Sequence, residues 1–205
     1  MSITYEPQKE KLLAEIERLK KELKKKKKYG LVWEEKPEEV VEMCKEKLPV
    51  LKEVKDKEMI TDKNKQVNLL IEGDNYHALS VLNYTHAKKI DVIYIDPPYN
   101  TGARNWKYNN NYVDIDDAFR HSKWISFMYH RLALTKRLLS NDGFFICAID
   151  ANELFSIGLL LDEIFGEQNR VGLVTVLHNP KGRNFTKWFS ANSEYMLIYS
   201  KNTML

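Results

Sequence analysis

The chain is poor in cysteine, poor in patterned glycine, and has no long apolar run. Its two cysteines, Cys44 and Cys147, stand far apart in unrelated contexts. Neither a disulfide framework nor a metal site is expected, and a reducing, cytoplasmic setting is the natural reading. No apolar stretch reaches the length of a membrane-spanning helix, and the Lys/Glu-rich N-terminus lacks the apolar centre of a secretory signal. No two of the eight glycines are spaced G-x-G, the spacing with which a strand-to-helix turn brings its backbone against a nucleotide. Charge of one sign is scarce as well. The net charge of +3 lies entirely in residues 1–66, and residues 67–205 are balanced. A nucleic-acid binder usually shows a basic face, so bulk charge here neither supports nor excludes one.

What is present is a 205-residue chain with 43% hydrophobic and 30% charged residues, enough for one globular domain and an appendage. Residues 8–28 read as a helix, because Leu12, Ile16, Leu19 and Leu23 recur at steps of four, three and four among Glu and Lys. That stripe either docks on the protein's own body or self-associates. The run Lys24–Lys28 closing it is either a solvated helix end or a phosphate-contacting patch. Residues 31–66 read as a helix with flanking loops, ending in the polar linker Ile60–Gln66. The resulting division is an N-terminal helical extension and linker, 1–66, followed by a catalytic part, 67–205.

From Val67 the pattern alternates strand and helix. Strands are predicted at 67–73, 90–96, 144–150, 171–177 and 194–200, with helices at 75–86, 118–139 and 151–165. Asn141-Asp142-Gly143 is expected to turn the chain, and Gly166 to end the last helix. Such alternation implies βαβ units and a mostly parallel sheet. The last two strands have no helix between them, which allows an antiparallel hairpin.

The tetrapeptide Asp96-Pro97-Pro98-Tyr99 directly follows the apolar run IDVIYI. Ligands in open α/β sheets bind beyond the C-terminal ends of strands. Two consecutive prolines fix the backbone and carry no N–H, leaving carbonyls to accept hydrogen bonds. Asp96 adds an ionised acceptor, and Tyr99 a flat face on which a base can stack. An aromatic amine is a poor nucleophile because its lone pair is delocalised into the ring. Acceptors that take hydrogen bonds from both amine protons favour a more tetrahedral nitrogen, and an Asp carboxylate with the Pro97 carbonyl can do this. The plainer reading is a loop with a capping Asp and a buried Tyr.

Asp-Pro-Pro-Tyr after a strand resembles the signature of amino-group DNA methyltransferases, which flip the target base out of the duplex. The stretches IEGDNYHALSVL (71–82), DVIYIDPPYNTG (91–102), RHSKWISFMYHRLALTKRLL (120–139) and SIGLLLDEIFGE (156–167) resemble the modification subunit of type III restriction systems and its β-class relatives. A weaker echo lies at YGLVWEEKPEE (29–39). The resemblance implies an adenine-N6 enzyme, with an α/β, partial Rossmann-like, S-adenosylmethionine-dependent sheet and an N-terminal helical extension. Asp96 and the Pro97 carbonyl would then accept from the adenine amino group, Pro98 would shape the loop, and Tyr99 would stack on the flipped base. Asp74, in Gly73-Asp74-Asn75, would lie against the cofactor's adenosine end, and Asp96 would also be cofactor-binding; the alternative for Asp74 is a helix cap. In the loop HNPKGRNFTKWF (178–189), Lys181 and Arg183 are candidate phosphate contacts. Phe185, Trp188 and Phe189 are candidate base or pocket walls, or core anchors. Trp124 is expected in the core and His121 as a polar or capping contact.

The sequence also departs from that family. Its cofactor turn, Phe-x-Gly-x-Gly in type, is not found, and the two strands of that half belong between 67–72 and 90–95. The expectation is a truncated or split catalytic portion, completed by another methyltransferase half. Further expected partners are double-stranded DNA with a flipped base, a restriction subunit and a second copy as homodimer, with no membrane. Cytosine-N4 chemistry is the alternative, though that family more often has Ser at the Asp96 position. Cytosine-C5 chemistry needs a thiolate nucleophile, for which neither cysteine has the context. A non-catalytic DNA- or partner-binding remnant is the reading from a different class.

Overall fold

A computed structural model of the chain describes residues 12–18, 31–59, 67–101, 107–108, 111–112, 118–177 and 192–202. Two compact units are present, Met1–Val32 and Trp33–Leu205. In the first, residues 12–18 are helical (α1), with Leu12, Leu13 and Ile16 exposed. Leu19, Leu23, the Lys24–Lys28 run and the linker 60–66 lie outside the described residues.

The second unit runs α2 (Glu39–Glu46), α3 (Asn75–Thr85), β1 (Ile90–Ile95), β2 (Lys107–Tyr108), β3 (Asn111–Tyr112), α4 (Arg120–Leu138), β4 (Leu139–Ile149), α5 (Leu154–Phe165), β5 (Arg170–Leu177) and β6 (Ser193–Ser200). Four strands form one sheet in the order β1-β4-β6-β5, and β2 and β3 form a small separate ribbon. β1 and β4 pair in parallel across the α4 crossover. β6 runs antiparallel to β4 and β5, so the last two strands do make the hairpin their missing helix allows.

Alternation within the strands decides where the core lies. Phe145, Cys147 and Ile149 of β4 share a face with Leu197 and Tyr199 of β6, and all are buried. Ile157, Leu160, Leu161 and Phe165 of α5 are buried with them, and the Phe165 ring stacks on Phe145 at 5.1 Å. Each such side chain contributes about 1.5–3 kcal/mol relative to exposure. The Tyr199 hydroxyl donates to Asp162 on α5 at 2.7 Å, which satisfies its buried polar end. α4 lies between α3 and α5 and buries Trp124, Met128, Leu132 and Leu138.

Three expectations are corrected. Residues 67–72 form no strand; Leu70 is 98% exposed. A strand needs a neighbour for its backbone groups, and none of the described strands lies beside this stretch. For the same reason the sheet is not mostly parallel: among the described residues only the β1–β4 pairing is parallel. Asn141-Asp142-Gly143 is not a turn before the strand but a bulge inside it, since Ile90 faces Leu139 while Val92 faces Phe144. A side chain at Gly143 would come within 3.0 Å of the Ile90 carbonyl and 3.1 Å of the Asp91 carbonyl, so any larger residue would press the bulge away from β1. The second compact unit begins at Trp33. Residues 33–46 are tied to α4 by polar groups that a hydrophobicity pattern does not display: Lys36 N–H donates to Ser126 Oγ at 3.1 Å, and Glu38 forms a buried ion pair with Arg131 at 2.9 Å.

Candidate active site

β1 delivers Asp96-Pro97-Pro98-Tyr99 to the C-terminal edge of the sheet, beside the end of its parallel neighbour β4. Asp96 is exposed, Pro97 buried, and Pro98 and Tyr99 half-buried. The Tyr99 hydroxyl bonds to the Asp96 carboxylate. Burial above all, then that bond, pushes the phenol well above its usual range, and the charges of Glu194 and Asp150 add to the push. Tyr99 therefore stays a neutral donor, which holds one Asp96 oxygen and keeps an uncharged ring face. Asp150, at the end of β4, is itself raised, chiefly by burial. Its bonds with Asn152 oppose that, and Glu194 and Glu153 reinforce it.

The loop is held from two sides. The indole Nε1 of Trp124 on α4 donates to the Pro98 carbonyl at 2.7 Å. Asn100, next along, is buried with a φ of 55°, a conformation asparagine tolerates better than most residues. Its amide donates to Glu153 Oε1 at 2.5 Å, and His121 Nδ1 meets the same oxygen at 2.6 Å. Sequence reading assigned Trp124 to the core, where it is fully buried, and missed that its one polar atom is spent on this loop. It missed Asn100 and Glu153 altogether. An Asn after the tetrapeptide was an available signal, because the turn there demands a left-handed residue. Glu153 gave none, since an acidic residue before a helix ordinarily reads as a cap, yet its side chain makes no capping bond. His121 is a polar contact, as expected.

Asp74 sits apart from this loop on α3, which it caps by accepting from the Tyr76 N–H at 2.8 Å. Arg131 approaches it at 3.4 Å while donating to both oxygens of Glu38, and the guanidinium lies 3.7 Å over the Phe127 ring. Gly73 and Asp74 also border a cavity of about 330 Å³ whose other walls include Met43, Leu48, Val50 and His77. The cap is thus realised, with one flank of Asp74 on open space. Lys181, Arg183, Phe185, Trp188 and Phe189 lie outside the described residues.

The cysteines offer no nucleophile at this edge. Cys147 is fully buried, and burial, with Asp96 second, pushes its thiol up to about 12, so it is uncharged at neutral pH. Among the described residues no helix is long and apolar enough to cross a membrane.

Residues 90–204 match the DNA methylase family of N6 and N4 enzymes. The chain is 38% identical over 164 residues to the EcoPI Mod subunit, a type III restriction-modification enzyme of Escherichia phage P1, covering 69% of this chain and 25% of that protein. It is 36% identical over 133 residues to the type II methyltransferase M.KpnI of Klebsiella pneumoniae, covering 64% and 32%. Among solved structures it is similar to M1.HpyAVI in complex with SAM, with 17% identity, a TM-score of 0.40, and 63% and 52% of the two chains covered. The chain spans between a quarter and a third of the length of these curated relatives. The matched segment takes in more than half of the chain, from the strand that presents the Asp-Pro-Pro-Tyr loop to the last hairpin, and the chain belongs to the N6/N4 DNA methylase family.

Proposed function

We propose that this chain carries the base-binding, amine-activating part of an adenine-N6 DNA methyltransferase that uses S-adenosylmethionine within a restriction–modification system. The observation that carries this reading is the Asp96–Tyr99 loop at the end of β1, fastened through Pro98 by Trp124, with the Tyr99 ring bonded beside the Asp96 carboxylate.

The chemistry follows from what these groups offer. Asp96 accepts a hydrogen bond from one amine N–H and the Pro97 carbonyl from the other, which draws the nitrogen lone pair out of conjugation. Tyr99 supports the flipped base by stacking, at a gain of about 1–3 kcal/mol per base. The rigid Pro-Pro backbone keeps both acceptors in place without reorganisation, and that alignment is the larger part of the catalysis. The cofactor, when bound, supplies a methyl group on a sulfonium cation. The acidic surroundings of Tyr99, formed by Asp96, Asp150 and Glu194, suit a cation, and the open flank of Asp74 beside its cavity suits the adenosine end. The glycine turn expected of such a site is not in the sequence, so these residues hold one side of the group. The remaining half of the sheet comes from further polypeptide, in the same chain or in a companion chain. Lys181 and Arg183 would contact phosphate, with Phe185 and Trp188 as walls for the base. A restriction subunit is the expected assembly partner, as the relatives' names suggest. Asp96 at the position where the cytosine-N4 enzymes more often have serine favours adenine.

The test is transfer of labelled methyl from S-adenosylmethionine to adenine in duplex DNA by the chain combined with the polypeptide completing its fold. Asp96→Ala is expected to lower kcat by about 10²-fold or more. Equal transfer by wild type and variant, or label found only on cytosine, would overturn the assignment.

A further inference from the structure

Glu153 stands between β4 and α5 with a fully buried side chain. A buried carboxylate is costly unless it is paired and hydrogen-bonded. Position 153 precedes the first turn of α5, where a carboxylate ordinarily caps its own helix, yet this one makes no cap bond. Instead Oε1 receives Asn100 Nδ2 at 2.5 Å and His121 Nδ1 at 2.6 Å, while Oε2 has no partner among the described residues. Both partners matter for where they sit. Asn100 is the residue immediately after Tyr99 and holds a left-handed φ of 55°. His121 is on the first turn of α4, the helix whose Trp124 grips the Pro98 carbonyl. One carboxylate oxygen therefore joins the exit of the Asp96–Tyr99 loop to the helix that holds the loop's middle.

We infer that Glu153 is a positioning residue for amine methylation. Through Asn100 it fixes the turn that ends the Asp96–Tyr99 loop, and through His121 it registers that turn against α4, so the Asp96 and Pro97 acceptors address one amine. This rests on the function proposed above, but its geometric part can be read without any methyl transfer. The direction of control runs from Glu153 to Asn100 to the loop. Removing the carboxylate or the amide should therefore have the same consequence, and removing both should add little to either.

The experiment uses the full chain and the indole N–H resonance of Trp124, identified among the four tryptophans by its loss in Trp124→Phe. Glu153→Gln keeps the volume and removes the charge. Asn100→Gly keeps the left-handed backbone, which glycine adopts freely, and removes only the amide. Each is expected to move the resonance and to speed its exchange with solvent by about tenfold, with the double variant no faster than twice either single. Unchanged position and exchange in both, or fully additive effects, would overturn the inference. If Glu153→Gln does not fold, Asn100→Gly decides on the same readout. In the assembled enzyme the same two variants should lower kcat for methyl transfer with KM for DNA within about twofold, since only transition-state alignment is lost. An assembled wild type that transfers no methyl, while the indole shifts occur as expected, counts against the proposed function and leaves the positioning by Glu153 standing.

Discussion

The two faces of the sheet are made by the same strands, and along β1 and β4 they differ in what they meet. On one, Phe145, Ile149 and Tyr199 are fully buried with α5. On the other, Val92 and Tyr94 of β1 are more than half exposed, while the edge strand β5 is open on both faces, at Leu173 and Leu177 as at Val174 and Val176. The run IDVIYI is apolar at nearly every position, the pattern of a strand buried on both sides. Here only one side is covered by described residues. The stretch 67–72 is apolar in the same way and pairs with no described strand. The difference suits the proposal that further polypeptide covers the open face, since the described part holds one helical layer together with the edge that carries the Asp96–Tyr99 loop. Hydrophobicity records what a segment will bury; it does not reveal which polypeptide does the burying.

The buttressed side should fail hardest where it holds charge. Arg131 and Glu38 have side chains 8% and 1% exposed and face each other at 2.9 Å. Arg131→Met would leave Glu38 as a buried, unpaired carboxylate and should cost about 3–5 kcal/mol in urea unfolding, with part recovered by adding Glu38→Gln. A loss below about 1 kcal/mol would mean that residues 33–46 are not anchored as described. Next in size is a direct contrast between the faces. Ile149→Ala should cost about 2–5 kcal/mol, whereas Val92→Ala, on the exposed face, should stay within about 0.5 kcal/mol. Equal costs would show that the second face is covered, and the comparison would not survive. Adding the polypeptide that completes the fold should raise the Val92→Ala cost and leave the Ile149→Ala cost unchanged.

The same contrast explains what could be read from sequence. Elements stabilised by their own periodicity and by neighbours close in the chain were legible: α3, α4, α5 and the β5–β6 hairpin fall within a few residues of their predicted limits. The place of Asp-Pro-Pro-Tyr directly after a strand was legible too, because strand and tetrapeptide are spelled in consecutive residues. What was not legible depends on distant partners. The strand at 67–73 needed a neighbour, the Asn141–Gly143 bulge needed the Ile90 and Asp91 carbonyls against it, and the place of residues 33–46 was decided by Arg131, 93 positions from Glu38. Glu153, 53 positions from Asn100, belongs to the same class. Its side chain looks like any helix-starting acid until the fold brings the loop to it.

The smallest effect concerns the end of the sheet where the covered face gives way to the site. Asp150 is partly buried there, and burial raises its carboxyl above the usual range despite its two bonds with Asn152. With the folded value above the unfolded one, the unfolded chain releases this proton first as pH rises. Folding stability is therefore lost from about pH 4 upward through the raised folded value, and is level beyond it. Asp150→Asn keeps an acceptor for the Asn152 N–H and removes the titration. Urea unfolding of wild type and variant across that range should show the difference moving in the variant's favour as pH rises, while the other carboxylates cancel between them. The shift should be modest, because the group is half open to solvent, which screens it. A constant difference, or one moving the other way, would mean that Asp150 is solvated like an ordinary surface acid. Burial at the end of β4 would then cost this carboxylate nothing, and the site edge of the sheet would be as relaxed there as the open face.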